Sequence, residues 1–171
     1  MKKYQVDYAD PPWKYDFSKS NSREIENKYP TMTVEEICNL NIPVFENSVL
    51  YLWATAPKLL EALKVMSAWG FDYKTQAIWD KEIIGMGYWF RGQHEILLVG
   101  TKGKISPPEQ KLRVSSIFKY KREKHSKKPH QIKDYISNWF PDSEKLELFA
   151  REKTEGWDVW GNEVESDIVL E

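Results

Sequence analysis

Short apolar runs alternate with segments of helical periodicity in this chain, and that alternation limits the folds it can adopt. Residues 49–54 and 95–100 are runs of the kind that form buried strands. Between them, apolar residues from Leu59 to Trp69 recur at helical spacing, and Gly70 closes the helix. Strands that alternate with helices predict an α/β fold whose sheet is parallel at least at its centre.

The remaining predicted elements continue the same alternation. Thr33 followed by Glu35 and Glu36 is typical of a helix start with an acidic first turn, and Pro57 marks another. A length of 171 residues predicts one domain over residues 1–171. Further strands are predicted at residues 4–9, 73–79, 146–149 and 157–160, and a further helix at residues 129–140.

Composition restricts the class of protein. A hydrophobic content of 41% with 30% charged residues is typical of a soluble globular chain. There is no apolar run of membrane-spanning length and no export signal, so we expect a cytoplasmic protein with no membrane partner. The single cysteine, Cys38, agrees with a reducing compartment. The three histidines lack the paired spacing of metal ligands, so no metal is expected.

Charge is unevenly distributed along the chain. Residues 102–128 contain ten lysines and arginines and only two acids, Glu109 and Glu123. A basic segment that also carries Phe118 and Tyr120 is a candidate surface for contacting phosphates. A solvated loop explains the same charges equally well.

The segment Asp10-Pro11-Pro12-Trp13 follows the first predicted strand and is the strongest candidate for chemistry. The prolines hold Asp10 and Pro11 in extended geometry, which leaves a carboxylate and backbone carbonyls as acceptors. Such acceptors match the two donors of an exocyclic amino group, and Trp13 offers a flat face for a base. An ordinary turn after a strand is the alternative. Phosphate-binding glycine motifs and a serine-hydrolase elbow are absent from the sequence.

Ordered motifs along nearly the whole chain narrow this chemistry. After the Asp10-Pro11-Pro12-Trp13 segment come Tyr29-Pro30-Thr31-Met32, Leu40-Asn41-Ile42-Pro43, Leu52-Trp53, Ile78-Trp79-Asp80-Lys81, Glu95 with Leu98-Val99-Gly100, Lys127-Lys128-Pro129, Glu147-Leu148-Phe149-Ala150-Arg151, and Trp157 with Gly161-Asn162. Together they resemble the adenine N6-methyltransferase family of the messenger-RNA methyladenosine writer, named for its seventy-kilodalton subunit.

This resemblance implies a fold, a cofactor and site residues. The implied fold is a Rossmann-like methyltransferase sheet with helices on both faces, in permuted order with the catalytic strand first. The implied cofactor is S-adenosylmethionine. Asp10 and the Pro11 carbonyl would accept hydrogen bonds from adenine N6, with Pro12 and Trp13 completing the catalytic motif. Implied substrate-binding residues are Tyr29, Glu95 and Lys128; implied cofactor-binding residues are Asp10, Lys128, Glu147, Phe149, Arg151, Asn162 and Glu163.

The chain departs from the family pattern near the expected cofactor site. Ala150 replaces a usual glycine, Glu163 replaces an amide, and the segment 152–156 is short. Asp7 is a candidate for partly replacing an acidic cofactor-contacting segment that precedes the catalytic strand in the messenger-RNA enzyme, and an ordinary strand residue is the alternative.

The expected function is methyl transfer to adenine N6 in nucleic acid, with DNA favoured over RNA. Sequence specificity would come from loops 14–28 and 101–127, or from a partner in a homodimer or in a heterodimer with a recognition subunit. The alternatives are a cytosine-N4 methyltransferase and a non-catalytic nucleic-acid-binding or scaffold partner with this fold.

Overall fold

A seven-stranded sheet organises the computed structural model, which describes residues 1–15, 30–124 and 127–171. The sheet order is β5-β3-β4-β2-β1-β6-β7. The strands are β1 (Tyr4–Ala9), β2 (Val44–Ala54), β3 (Asp72–Asp80), β4 (His94–Lys102), β5 (Ile117–Lys119), β6 (Lys145–Leu148) and β7 (Asp158–Trp160). The α-helices are α1 (Val34–Cys38), α2 (Leu59–Ala68) and α3 (His130–Trp139), and 3₁₀ turns occupy Ala56–Lys58 and Gln110–Leu112.

Four neighbouring strands, β2, β1, β6 and β7, are parallel, but the predicted parallel centre is interrupted because the middle strand β2 also pairs antiparallel with β4. Strand β1 pairs in parallel with β2 on one side and with β6 on the other, and β6 pairs in parallel with β7. The chain therefore leaves β1 toward one half of the sheet and later enters the other half at β6. Ligands of open α/β sheets bind where the strand order reverses in this way, beyond the carboxyl ends of the strands.

Helices cover both faces of the sheet, which confirms the predicted Rossmann-like architecture. Ile37 of α1 and Met66 of α2 belong to the core cluster on one face, together with Leu52 of β2. Ile132 and Ile136 of α3 belong to the cluster on the other face. The central strands are buried between the two layers, so they read as continuous apolar runs.

The helix starts follow local sequence signals. Glu36 N–H donates to Thr33 Oγ1 at 3.2 Å, and Thr33 N–H donates to the Glu36 carboxylate at 2.7 Å, which forms a capping box at α1. A 3₁₀ turn that contains Pro57 precedes α2. Gly70, at a φ of 84°, follows the end of α2.

Three features differ from the prediction. Strand β5 lies inside the basic segment and pairs in parallel with β3. Strand β4 runs antiparallel to both β2 and β3, so the sheet is mixed. Strand β6 ends at Leu148, because Phe149 adopts a left-handed φ of 61° that ends the extended backbone. Among the described residues, no helix is long and apolar enough to cross a membrane.

Candidate active site

A cleft of about 460 Å³ opens at the carboxyl ends of β1, β2, β6 and β7. Its volume is within the range of small-molecule and cofactor sites. Because β1 lies between β2 and β6, the segment that follows β1 occupies the middle of the cleft. The cleft brings together these predicted site residues: Asp10, Pro11, Pro12, Trp13, Glu95, Lys128, Phe149, Arg151, Asn162 and Glu163.

Four charged side chains of alternating sign form a series in this cleft. Lys128 Nζ lies 3.0 Å from Asp10 Oδ2 and 3.3 Å from Glu95 Oε1. The other oxygen of Glu95 lies 3.0 Å from Lys81 Nζ. The Lys128 and Glu95 side chains are only 10% and 9% exposed, so each buried charge has a partner of opposite sign, which lowers the cost of burying it.

Burial and charge compete for the pKa of each group in the series. Burial lowers the pKa of Lys128, but Asp10 and Glu95 outweigh it, so the pKa is raised and the ammonium is retained. Burial raises the pKa of Glu95, but Lys128 and Lys81 outweigh it, and the net shift is downward. At Asp10 the effect of burial exceeds that of Lys128, so the pKa of its carboxyl is raised. Asp10 is therefore a more basic acceptor than an ordinary aspartate.

Backbone hydrogen bonds hold the Asp10-Pro11-Pro12-Trp13 segment in place. Trp13 N–H donates to the Pro11 carbonyl at 2.9 Å, and Met32 N–H donates to the Pro12 carbonyl at 3.0 Å. A carbonyl oxygen has two lone pairs, so the Pro11 oxygen can accept a second hydrogen bond. The segment therefore presents two acceptors on a fixed backbone: the Asp10 carboxylate and the second lone pair of the Pro11 carbonyl oxygen.

Trp13 is held more tightly than a mobile stacking residue. Its side chain is buried, and the indole Nε1–H donates to the Trp53 carbonyl at 3.2 Å. The ring lines the cleft as part of the wall. Its position is consequently determined by packing before any ligand binds.

Two cleft aromatics were not assigned a role from the sequence. Trp53, at the end of β2, has Lys128 Nζ 5.7 Å from its ring centroid and donates from Nε1 to the Tyr8 hydroxyl at 2.7 Å. The Tyr15 hydroxyl lies 2.6 Å from Thr55 Oγ1. The sequence alone could have predicted that Trp53 lines the cleft, because Trp53 is near the carboxyl end of a buried apolar run, where ligand contacts concentrate in α/β sheets.

The other end of the cleft is built from the loops after β6 and β7. The Phe149 and Trp160 rings meet edge to face at 5.3 Å. Arg151 Nε lies 3.4 Å from Glu163 Oε2. Ala150 N–H donates to the Trp160 carbonyl at 2.9 Å, so the two loops are directly joined.

Gly161 permits this close approach of the two loops. A Cβ atom at Gly161 would lie 2.2 Å from the Ala150 carbonyl oxygen and 2.8 Å from the Ala150 nitrogen. Contacts this short with backbone atoms cannot be relieved by rotating a side chain. The glycine is therefore required by the geometry that places Asn162 and Glu163 in the cleft.

Of the predicted site residues that the structure describes, Glu147 is not among those that line the cleft. Glu147 of β6 pairs with Lys133 of α3 at 2.8 Å, and Lys133 also donates to Thr154 Oγ1 at 2.8 Å. The Glu147 side chain therefore faces α3. Tyr29 lies outside the described residues.

Asp7 is also not among the cleft-lining residues. It is completely buried in β1, and neither carboxyl oxygen has a hydrogen-bond partner among the described residues. Burial holds the pKa of this carboxyl well above its ordinary value. Asp7 therefore takes no part in the cleft seen here.

The donor set of the cleft fits a cofactor with a cationic centre, a carboxylate, hydroxyl groups and an aromatic base. Lys128 can pair with a carboxylate, while Phe149 and Trp160 offer apolar faces for a base. Asn162 lines the same cleft, and its side-chain amide can both donate and accept hydrogen bonds. Within the described ranges, no group of three or more His, Cys, Asp or Glu residues is placed to hold a metal ion.

The sheet and its cleft define a Rossmann-like methyltransferase domain with acceptor groups directly after its first strand. The chain belongs to the MT-A70 family, whose family model matches residues 4–163. This match confirms the resemblance that the ordered motifs predict, and with it the class of adenine-N6 methyltransferases.

The relatives come from bacteria and eukaryotes. The chain is 38% identical over 184 residues to the type II methyltransferase M.MunI of Mycoplasma sp, covering 95% of this chain and 78% of M.MunI. It is 31% identical over 180 residues to the human N(6)-adenosine-methyltransferase catalytic subunit METTL3, covering 99% of this chain but 30% of METTL3. An N(6)-adenosine-methyltransferase MT-A70-like protein of Arabidopsis thaliana is 28% identical over 173 residues, and the match spans 24% of that protein.

Proposed function

We propose that this chain transfers a methyl group from S-adenosylmethionine to N6 of adenine in DNA. The observation that carries the proposal is the Asp10 carboxylate, which follows β1 and lies 3.0 Å from buried Lys128 in a cofactor-sized cleft. Family membership supports the chemistry. DNA is favoured over RNA because the match spans most of a bacterial type II methyltransferase but under one third of METTL3.

The main chemical difficulty is the weak nucleophilicity of adenine N6, whose lone pair is delocalised into the ring. Asp10 and the second lone pair of the Pro11 carbonyl can accept the two N6–H donors. Acceptors on both donors favour a pyramidal nitrogen with a localised lone pair, and placing them in advance lowers the reorganisation cost. When bound, S-adenosylmethionine supplies a methyl group whose bond to sulfur breaks, with sulfur keeping the electron pair, as the bond to N6 forms. N6 then gives up one proton to solvent.

The charged series would place the substrate and the methyl donor. Lys128 would offset part of the rise in the Asp10 pKa that burial causes, and it would also contact the carboxylate of the donor. Glu95 holds Lys128 from the other side and borders the space for the base. Trp13 and Trp53 form aromatic parts of the wall, and we propose that Tyr29 completes it.

The loops after β6 and β7 would hold the adenosine part of the donor. Phe149 would contact the adenine ring, while Asn162 and Glu163 would bind polar groups of the nucleoside, with Arg151 fixing Glu163. Glu147 would contribute through Lys133 and Thr154, which connect β6 to the loop that follows it.

Further parts of the proposal concern the setting of the protein. Residues 1–171 would act as one domain in the cytoplasm, and the basic segment would contact phosphates. A second copy or a recognition subunit would add sequence specificity. These parts rest on composition and on the charge of the segment.

The proposal is tested by identifying the product. The purified chain is incubated with S-adenosylmethionine labelled in the methyl group and with unmethylated DNA or RNA, and the nucleic acid is digested to nucleosides. We expect label in N6-methyldeoxyadenosine, and sequencing of the modified DNA then locates the target site. Label in RNA alone contradicts the choice of DNA, and label in N4-methylcytosine contradicts the choice of base.

Asp10→Asn tests the assigned role of the carboxylate. We expect methylation to slow by about 100-fold, because an amide oxygen is a weaker acceptor than a carboxylate. Asp72→Asn, at an exposed position at the start of β3, is the matched control and should keep the wild-type rate. Thermal unfolding of both variants excludes misfolding. Full activity of Asp10→Asn would remove the proposed role, and absence of both cofactor binding and transfer in the wild type would favour a scaffold.

A further inference from the structure

The loop between β3 and β4 exposes an unusual cluster of large apolar side chains. Trp89 and Phe90 are 95% and 91% exposed, and Tyr88 is completely exposed. Ile83, Ile84 and Met86 are exposed beside them. Residues 82–92 are called the aromatic loop below. Contiguous exposed apolar side chains of this kind mark interaction surfaces.

The aromatic loop has a defined shape although it packs little against the core. Gly85 N–H donates to the Gly92 carbonyl at 2.7 Å, and Gly92 N–H donates to the Met86 carbonyl at 3.2 Å. Arg91 Nε donates to the Gly85 carbonyl at 3.0 Å. The apolar side chains are therefore exposed on a loop whose backbone conformation is fixed by its own hydrogen bonds.

Both ends of the aromatic loop are joined to the active-site cleft. Lys81, which precedes the loop, contacts Glu95 at 3.0 Å, and its N–H donates to the Gln93 carbonyl at 2.9 Å. The Asp80 carboxylate accepts from Glu82 N–H and from Gln93 Nε2, at 2.8 and 2.9 Å. The loop that carries the exposed aromatics therefore begins and ends at the rim of the cleft into which a target base would enter.

Positive charge lies on the same edge of the sheet. Strand β5 pairs with β3, so that Lys119 stands opposite Asp80, and Tyr120 N–H donates to the Asp80 carbonyl at 3.3 Å. The chain then continues through Lys121, Arg122, Glu123 and Lys124, all of them exposed. Aromatic side chains beside a run of cations fit a polyanion with stacked bases better than they fit a second copy of this nearly neutral chain.

We propose that the aromatic loop inserts Trp89 and its neighbours into the DNA next to the target adenine, filling the space that the extruded base leaves. The inference rests on the proposed function. A base inside a duplex cannot reach Asp10, so it must be unstacked and turned out of the helix. Apolar side chains that enter between base steps replace part of the lost stacking. Phosphates on the flanking nucleotides then meet the cations that follow β5.

The test compares Trp89→Ala and Phe90→Ala with a control on two duplexes. One duplex carries the site that the wild type methylates, and the other carries the same site with a mismatched base opposite the target adenine. We expect the variants to methylate the paired duplex at least about tenfold more slowly, with a loss of less than about threefold on the mismatch, where extrusion costs little. Leu60→Ala, 78% exposed on α2, should be unaffected on both.

Two further measurements separate the possible failures. Calorimetric binding of S-adenosylmethionine should be the same in wild type and variants, because the aromatic loop is not assigned to the cofactor. Light scattering should give the same oligomeric state. Equal rates for wild type and Trp89→Ala contradict this inference alone, and so does a dimer that Trp89→Ala dissociates, which would make the loop a protein interface. No methylation of any nucleic acid by the wild type contradicts the proposed function instead.

Discussion

At the scale of single residues, Lys128 is the group on which the electrostatics of the cleft depends. It contacts Asp10 and Glu95 at 3.0 and 3.3 Å, and all three side chains are largely buried. Removing it would leave Asp10 without this partner and Glu95 paired with Lys81 alone. Loss of one partner from a buried pair is strongly destabilising, at about 3–5 kcal/mol. Lys128 therefore stabilises the fold and also adjusts the acceptor.

The pKa of Asp10 predicts how activity depends on pH. The carboxylate is the accepting form, so the methylation rate should rise with pH as the Asp10 carboxyl, with its pKa raised above 3.8, loses its proton. Lys128 lowers the pKa of Asp10 and so opposes the effect of burial. Lys128→Gln should therefore raise that pKa further and move the acid limb of the profile to higher pH. Single-turnover rates between pH 4 and pH 9 check this, with each profile scaled to its own maximum.

A neighbouring lysine provides the control for this experiment. Lys127 pairs with exposed Glu152 at 3.3 Å and does not line the cleft, so Lys127→Gln should leave the position of the acid limb unchanged. Superimposable profiles for wild type and Lys128→Gln would show that Asp10 does not determine the acid limb.

The residue roles differ in how far sequence could predict them. Asp10, Glu95 and Lys128 were each identified from motifs, but their mutual contact was not, because they lie far apart in the chain. Glu147 is predicted to contact the cofactor, which stays a prediction, and the structure adds that its carboxylate pairs with Lys133. Alternation along β6 turns its side chain to the opposite face from Leu146 and Leu148, and the motif alone does not report which face borders the cleft.

At the scale of elements, the decisive feature is the contact between the loops that follow β6 and β7. These loops carry Phe149 and Arg151 on one side and Asn162 and Glu163 on the other. Their separation is set by the hydrogen bond from Ala150 to Trp160 and by the absence of a side chain at Gly161. A change of backbone spacing here alters the end of the cleft where we propose that the cofactor binds, without touching Asp10.

Gly161→Ala should therefore weaken cofactor binding. The added Cβ would lie 2.2 Å from the Ala150 oxygen, so the loops must separate. We expect the dissociation constant for S-adenosylmethionine to rise at least about tenfold, because misplacing several positioned polar groups forfeits their hydrogen bonds to the ligand. Isothermal titration calorimetry measures this directly.

Gly92→Ala is the matched control for this prediction. A Cβ at Gly92 would meet only the Met86 oxygen at 3.7 Å, an ordinary contact, and Gly92 does not line the cleft. Its affinity for the cofactor should equal that of the wild type. An unchanged dissociation constant in Gly161→Ala would mean that the cofactor does not bind between these loops.

Strand β5 marks the limit of element prediction. It is only three residues long and lies among lysines, so its local pattern resembles a polar loop. Phe118 is buried there because β3 supplies a pairing partner and α3 covers the face. Pairing with a distant strand outweighs local propensity in such short strands.

At the scale of the whole molecule, Asp7 makes the stability of the folded state depend on pH. It lies in β1 between Leu50 of β2 and Leu146 of β6, completely buried. The raised pKa keeps it neutral in the folded state, whereas it ionises above 3.8 in the unfolded chain. Unfolding then releases a proton, so the free energy of unfolding should fall as pH rises above that value.

Asp7→Val should raise stability and remove this dependence. Replacing a buried carboxyl that lacks a hydrogen bond to any described residue by an apolar side chain should add about 1–3 kcal/mol to the free energy of unfolding. The gain should grow with pH between 4.5 and 7.5. Urea denaturation at several pH values measures it.

Asp7→Asn is the control, because it has nearly the same shape and does not titrate. Asp7→Asn should abolish the contribution of this position to the pH dependence of the free energy of unfolding, while it keeps a buried polar group. A loss of stability in Asp7→Val that is constant with pH would show that the carboxyl has a stabilising partner in the folded protein.

Sequence by itself determined most elements and the chemistry of the first motif. Strands, helix starts and the extended Asp10-Pro11-Pro12-Trp13 segment depend on periodicity, capping and proline geometry, which act over a few neighbouring residues. Ordered motifs also sufficed for the family, which the match to residues 4–163 confirms.

Only the tertiary structure decided which of these residues meet and in what state. Strand order and direction placed Asp10, Glu95 and Lys128 in one cleft, turned Glu147 toward α3, and brought the aromatic loop beside the cations after β5. The pKa values of the cleft and of Asp7 depend on burial and on charges from distant segments. Coulomb and desolvation energies depend on distance in space, and spacing along the chain does not report that distance.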